Sequence, residues 1–206
     1  EALYASQDVV LLHQTEEPQP LTGAVLGRVI DLLDSGGKYA PAAPDTIEWM
    51  GRQWLVDRLP ESASGQPTPF ENNISLLGYE APVEREAAQP LCVTLYWQTG
   101  AAVPEDYTVF LHLAAPDGFV QAQRDSQPAF GFYPTSIWQP GEIIADMHCL
   151  HIPPGLAPGR YDLLTGLYNS DNGQRLSLQS DTRREDNALL LGHLQLVQSA
   201  STASKQ

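Results

Sequence analysis

Phe130, Phe132, Tyr133 and Trp138 crowd one short stretch, with Glu142 just beyond them. Exposed coplanar rings flanked by polar groups stack on sugar faces, and Asp125, Gln127 or Glu142 could supply the accompanying hydrogen bonds. The same rings have a plainer use. Tyr133 and Trp138 can plug the open end of a β-sandwich, because large aromatic side chains mostly serve as buried packing area. If any face of this chain binds a sugar, it is this loop.

Cys92 and Cys149 are the only cysteines, far apart and each inside an expected strand. They suit either one long-range cross-strand disulfide or two separate thiols. In an immunoglobulin-like strand order, their strands are neighbours in one sheet, and both sulfurs lie on its outer surface. Cys92, Cys149 and His151 also offer three metal donors, but without the short paired spacings of a zinc site.

Other chemistry finds little footing. Asp117, Asp125, Asp171, Asn172 and Asp181 sit in expected turns but lack the dense spacing of a calcium loop, so they read as solvated turn residues. Glu142 and Asp146 are a nominal carboxylate pair for glycoside hydrolysis. Among 25 acidic residues, two near neighbours arise by chance. His112 lacks an evident orienting partner and reads as a strand histidine. There is no G-x-S-x-G elbow and no phosphate-cradling glycine loop. The sequence therefore points to no catalytic residue, no metal and no cofactor.

The elements that must carry these residues are mostly strands. From Phe70 onward, apolar alternation recurs at short intervals, predicting strands over Asn73–Tyr79, Leu91–Gln98, Tyr107–Ala114, Phe119–Arg124, Ile143–Ile152, Tyr161–Asn169, Arg175–Leu178 and Leu189–Val197. Pro116-Asp117-Gly118 and Asp171-Asn172-Gly173 are hairpin signals. Leu91, Val93, Leu95 and Trp97 share one face of their strand, and Val109, Leu111 and Leu113 share one face of theirs. Ahead of these strands, Leu21–Ser35 has helical apolar spacing, with Thr22 as N-cap and Gly36-Gly37 as stop. Thr46–Val56 reads as a small hairpin turning at Met50-Gly51 and carrying Trp49 and Trp54. The expected organisation is a helix-plus-hairpin extension over 1–60, a Pro-rich linker over 61–69, a sandwich over 70–198 and a disordered tail over 199–206. The fold class is mainly β: an antiparallel sandwich, immunoglobulin-like or jelly-roll-like, with one N-terminal amphipathic helix and a small hairpin.

Five strings in order add a resemblance: Ile74–Tyr79, Val93–Gln98, Asp106–Leu113, Tyr133–Glu142 with Asp146 after it, and Pro158–Leu163 followed by Thr165–Tyr168. Together they resemble a β-sandwich module at the C-terminal, extracytoplasmic end of bacterial multi-spanning, mannosyltransferase-like glycosyltransferases. The resemblance implies a non-catalytic accessory domain at the cell surface or in the periplasm, with a glycan or an envelope protein as partner. It brings no catalytic residues with it.

Bulk properties narrow the partners. A formal charge of −14, with only 11 Lys and Arg among 206 residues, disfavours nucleic acid and anionic membrane surfaces. No run approaches the roughly 18 consecutive apolar residues of a membrane span, so the chain itself is not expected to cross one. Any tether would be supplied by upstream sequence. The chain opens at Glu1 rather than Met, so its compartment cannot be read from its N-terminus.

Overall fold

The computed structural model describes residues 54–178 and 186–198. The chain divides into two compact units, Glu1–Leu55 and Val56–Gln206, and the described residues belong almost wholly to the second. The helix expected over Leu21–Ser35, most of the Trp hairpin and the 199–206 tail lie outside the described residues. Among the described residues, no helix is long and apolar enough to cross a membrane.

The strands are β1 (Leu55–Val56), β2 (Thr68–Pro69), β3 (Ile74–Glu80), β4 (Glu84–Glu86), β5 (Pro90–Thr99), β6 (Tyr107–Ala114), β7 (Val120–Ser126), β8 (Ile143–His151), β9 (Gly159–Asn169) and β10 (Leu189–Val197). They form two five-stranded sheets, ordered β1-β8-β5-β3-β2 and β4-β10-β9-β6-β7. The pairings of β2 through β10 are antiparallel apart from β4 beside β10, which is parallel. The fold is an antiparallel β-sandwich.

Side-chain alternation explains the two layers. In β5, Leu91, Val93, Leu95 and Trp97 are fully buried and fill the core, while on the other face Cys92 is exposed and Tyr96 is covered. Opposite them lie Val109, Leu111 and Leu113 of β6 with Leu163, Thr165 and Leu167 of β9, all buried. Trp97 meets Phe70 edge-on, with ring centroids 5.6 Å apart. The Tyr79 hydroxyl on β3 donates to the Leu191 carbonyl on β10, tying one sheet to the other.

Three sequence expectations differ from what is observed. Strand β6 is buried on both faces, not one. Its outer residues Phe110 and Ala114 join Leu164 and Ala188 in a second small apolar cluster, and the Arg175 guanidinium covers the Phe110 ring at 4.3 Å. Arg175–Leu178 makes isolated bridges, Arg175 to Tyr168 and Leu178 to Phe70, rather than a strand. Those partners lie on β9 and just beyond β2, so the segment leaves one ladder for the other and can follow neither. Within 61–69, expected as a linker, Ser64 bridges to Tyr79 and Thr68–Pro69 pairs with β3. Pro-rich sequence reads as linker, yet Pro is compatible with an edge strand, where one row of N–H groups has no ladder partner to meet.

Gly166 of β9 stands opposite Phe110 of β6, and a Cβ there would lie 2.7 Å from two atoms of the Phe110 ring. The ring therefore occupies space that only glycine leaves open. Gly166→Ala is expected to lower stability by about 1–3 kcal/mol through overpacking. Gly100→Ala is the control, because nothing stands within 4 Å of that added carbon. Equal urea midpoints for the two variants would refute this packing account.

Candidate functional site

The aromatic segment lies in the connection from β7, at the edge of one sheet, to β8 in the other. Where part of this connection is buried, its backbone polar groups need partners. The structure places Tyr133 and Trp138 in the core, at 0% and 2% exposure. The Trp138 indole Nε1 donates to the Tyr133 carbonyl at 2.9 Å, and the Tyr133 hydroxyl donates to Glu142 Oε2 at 2.7 Å. The same carboxylate oxygen accepts the Gln139 N–H at 3.0 Å. These two rings are the plug of the sandwich end, and their faces are closed to a ligand. Phe130, at 40% exposure, and the half-buried Phe132 remain at the surface. Glu142 serves the loop's own hydrogen bonds.

Asp146 anchors the start of this connection. It points inward from β8 with no exposed surface, and so does His148 two residues on. Asp146 Oδ1 accepts the Ala129 N–H at 2.9 Å, and its Oδ2 lies 2.7 Å from His148 Nε2. Ala129 and Phe130 both have positive φ, at 53° and 58°, a region non-glycine residues seldom occupy. The buried carboxylate thus holds a turn that local preference opposes. It also removes Asp146 from any hydrolytic pair with Glu142, since a residue sealed in the core meets no substrate.

Thr135 anchors the other end and is itself fully buried. Its hydroxyl donates to the Glu105 carbonyl at 2.6 Å and accepts the Tyr107 N–H at 2.9 Å. The Ser136 N–H donates to Asp106 Oδ1 at 3.1 Å. The loop therefore clamps the 105–107 segment, whose Glu105 and Tyr107 side chains line a cleft of about 190 Å3. Glu71 and Asn72 of the β2–β3 turn, Asn169 at the end of β9, and Asn172, Gln174, Arg175 and Leu176 after it complete its walls. Asn72 Nδ2 donates to the Tyr107 hydroxyl at 2.6 Å, Asn169 Nδ2 to Glu105 Oε2 at 2.7 Å, and the Ser177 N–H to Glu71 Oε2 at 3.0 Å. Burial first, then Glu105 and more distantly Glu71, push the Tyr107 phenol above its ordinary value, so it remains a protonated donor at neutral pH. Sequence reading missed this cleft because its residues come from three separate turns. The local signals were two turns, the Asp171-Asn172-Gly173 hairpin and Asn72-Asn73, whose φ values of 58° and 62° are positive.

The remaining candidates fall elsewhere. Cys92 and Cys149 are directly paired in the β5–β8 register and joined by a disulfide, with Cα atoms 4.0 Å apart, so neither is a metal donor with His151. His112 does have an orienting partner: its Nε2 is 3.2 Å from Asp125 Oδ1, while the Tyr168 hydroxyl donates to Asp125 Oδ2 at 3.3 Å. Asp117 Oδ1 accepts the Phe119 N–H and Asn172 Oδ1 the Gln174 N–H, as turn-stabilising side chains do. Asp181 lies outside the described residues. Among the described residues, no group of three or more His, Cys, Asp or Glu is gathered to hold a metal ion.

No protein-family model matches the chain, and no curated protein matches it. Among solved structures it is similar to the C-terminal domain of Wzt, at 11% identity and a TM-score of 0.47, covering 68% of this chain and 83% of that one. It is also similar to the CARDB domain of the PF1109 protein from Pyrococcus furiosus, solved in complex with di-metal ions. That match has 8% identity and a TM-score of 0.36, covering 68% of this chain and 99% of that one.

The clamp is directly testable. Thr135→Val keeps the shape but orphans the buried Tyr107 N–H, at about 1–3 kcal/mol, and removes the donor to the part-buried Glu105 carbonyl. Urea denaturation should show that loss, and Thr135→Ser should recover most of it. A Thr135→Val variant as stable as wild type would mean the hydroxyl is not what holds the segment.

Proposed function

We propose that the sandwich is a non-catalytic, glycan-binding accessory module of a cell-envelope protein, working outside the cytoplasm. The observation that supports the compartment in this reading is the Cys92–Cys149 disulfide. It lies on the outer face of its sheet, with Cys92 exposed and Cys149 half-buried, within reach of any reductant. Cytosolic thiol pools keep such pairs reduced, whereas the periplasm and the cell surface let them form and persist. The resemblance to the extracytoplasmic modules of mannosyltransferase-like membrane proteins supports the same compartment, with tethering through sequence upstream.

Charge and surface support the ligand class. A chain at −14 repels phosphate polymers, while the loop end of the sandwich offers Phe130, Phe132 and a cleft rich in hydrogen-bonding groups. A second reading is a spacer that positions a membrane-embedded glycosyltransferase through protein contacts. Phe119 and Val120, 72% and 44% exposed beside the β6–β7 turn, favour it locally. Loss of partner capture in Phe119→Ser with glycan binding unchanged would select it.

The compartment is tested on protein recovered without reductant. Denatured chain should resist alkylation at Cys92 and Cys149 and take up two alkyl groups only after reduction. Reduction should also lower stability by about 2–4 kcal/mol, since a crosslink spanning 57 residues limits the unfolded chain. Ready alkylation of both thiols without reductant would remove the support for an extracytoplasmic module.

A further inference from the structure

We propose that the cleft between Glu71, Asn72, Glu105, Tyr107, Asn169 and Gln174 binds one ring of a neutral sugar, and that this cleft, rather than the aromatic loop, is the module's primary glycan subsite. The inference rests on the glycan-binding reading and gives it a place.

Size comes first. The cleft, at about 190 Å3, lies below the roughly 300–1,000 Å3 of pockets that take drug-sized ligands. That space suits one small polar ring and is too small for a helix or an apolar side-chain cluster. Gln174 and Arg175 also border a second, shallower and more open hollow.

The chemistry of the walls selects the ring. A sugar hydroxyl both donates and accepts, and it is best met by a wall that mixes the two functions. Glu71 and Glu105 accept only, while the Asn72, Asn169 and Gln174 amides do both. Each carboxylate offers about four lone-pair sites, more than the bonds from Ser177, Asn169 and Tyr107 consume. Those internal bonds hold the polar groups in place before any ligand arrives, which reduces the ordering cost of binding. Thr135 fixes one wall from behind, and the Asn72-Asn73 turn fixes another.

Charge sets the specificity. Arg175 is met by Asp186, with Nη1 2.5 Å from Oδ2, which leaves the two glutamates to set the sign of the cleft. An acidic sugar is repelled, whereas neutral hydroxyls donate to the carboxylates.

The test uses the 15N-labelled full chain titrated with the methyl glycosides of glucose, mannose and galactose, with glucuronic acid and calcium chloride as separate arms. At least one neutral glycoside should shift the side-chain amides of Asn72, Asn169 and Gln174, and glucuronic acid should bind about tenfold more weakly or not at all. Gln174→Ala should weaken binding by about tenfold. Glu71→Gln, which keeps an acceptor for the Ser177 N–H, should narrow the gap between neutral and acidic sugars. Shifts confined to Phe130 and Phe132 would leave glycan binding standing and overturn the cleft. No shifts with any glycoside up to tens of millimolar would overturn both. Calcium moving the same amides at lower concentration than any sugar would mean a cation site instead.

Discussion

Asp146 carries a carboxylate into the core of a sandwich, where an unpaired charge is strongly disfavoured. It persists because His148 and the Ala129 N–H both reach it. The arrangement of the loop end depends on that contact. It closes the start of the long connection from β7 to β8, holds Ala129 and Phe130 at positive φ, and leaves the chain behind them free to turn inward. An apolar pair of similar volume would suit the core at least as well, but it would not hold the Ala129 N–H.

From that anchor, the loop's residues divide into packing and support. Tyr133 and Trp138 fill the open end between the sheets, and Glu142 satisfies the Tyr133 hydroxyl and the Gln139 N–H. Thr135 then passes the constraint to Glu105 and Tyr107. The loop positions one wall of a polar cleft, and of its four aromatic side chains only Phe130 and Phe132 reach the surface. The Cys92–Cys149 crosslink acts separately, joining β5 to β8 on the opposite face from the Asp146 side chain.

How much of this was legible in the sequence depended on the range of the signal. Strands β6 and β10 match their expected ends, and β3, β5, β7, β8 and β9 match to within two residues, because period-two alternation is a local property. Strands β2 and β4 were not legible. Thr68–Pro69 sits in Pro-rich sequence, and Glu84-Arg85-Glu86 has no apolar alternation, so both take their conformation from the neighbouring strand. Burial on both faces of β6 was hidden for a similar reason, since the cover over Phe110 comes from Arg175, 65 residues away. At the site, the aromatic cluster announced itself while its orientation did not. Whether Trp138 faces water or core depends on the path of the whole loop, which is anchored by Asp146 and Thr135, ordinary residues in the sequence. The cleft assembles polar side chains from three turns that no local pattern links.

The most direct measurement is amide hydrogen exchange in wild type and in Asp146→Ala, with the global stability of each measured in parallel. The account predicts that a folded Asp146→Ala protein loses protection at Ala129 and also at Tyr107 and Ser136, whose amides depend on the loop through Thr135 and Asp106, while β9 and β10 retain theirs. Full protection at Tyr107 and Ser136 in that variant would contradict it, because the cleft wall would then be set without the buried carboxylate.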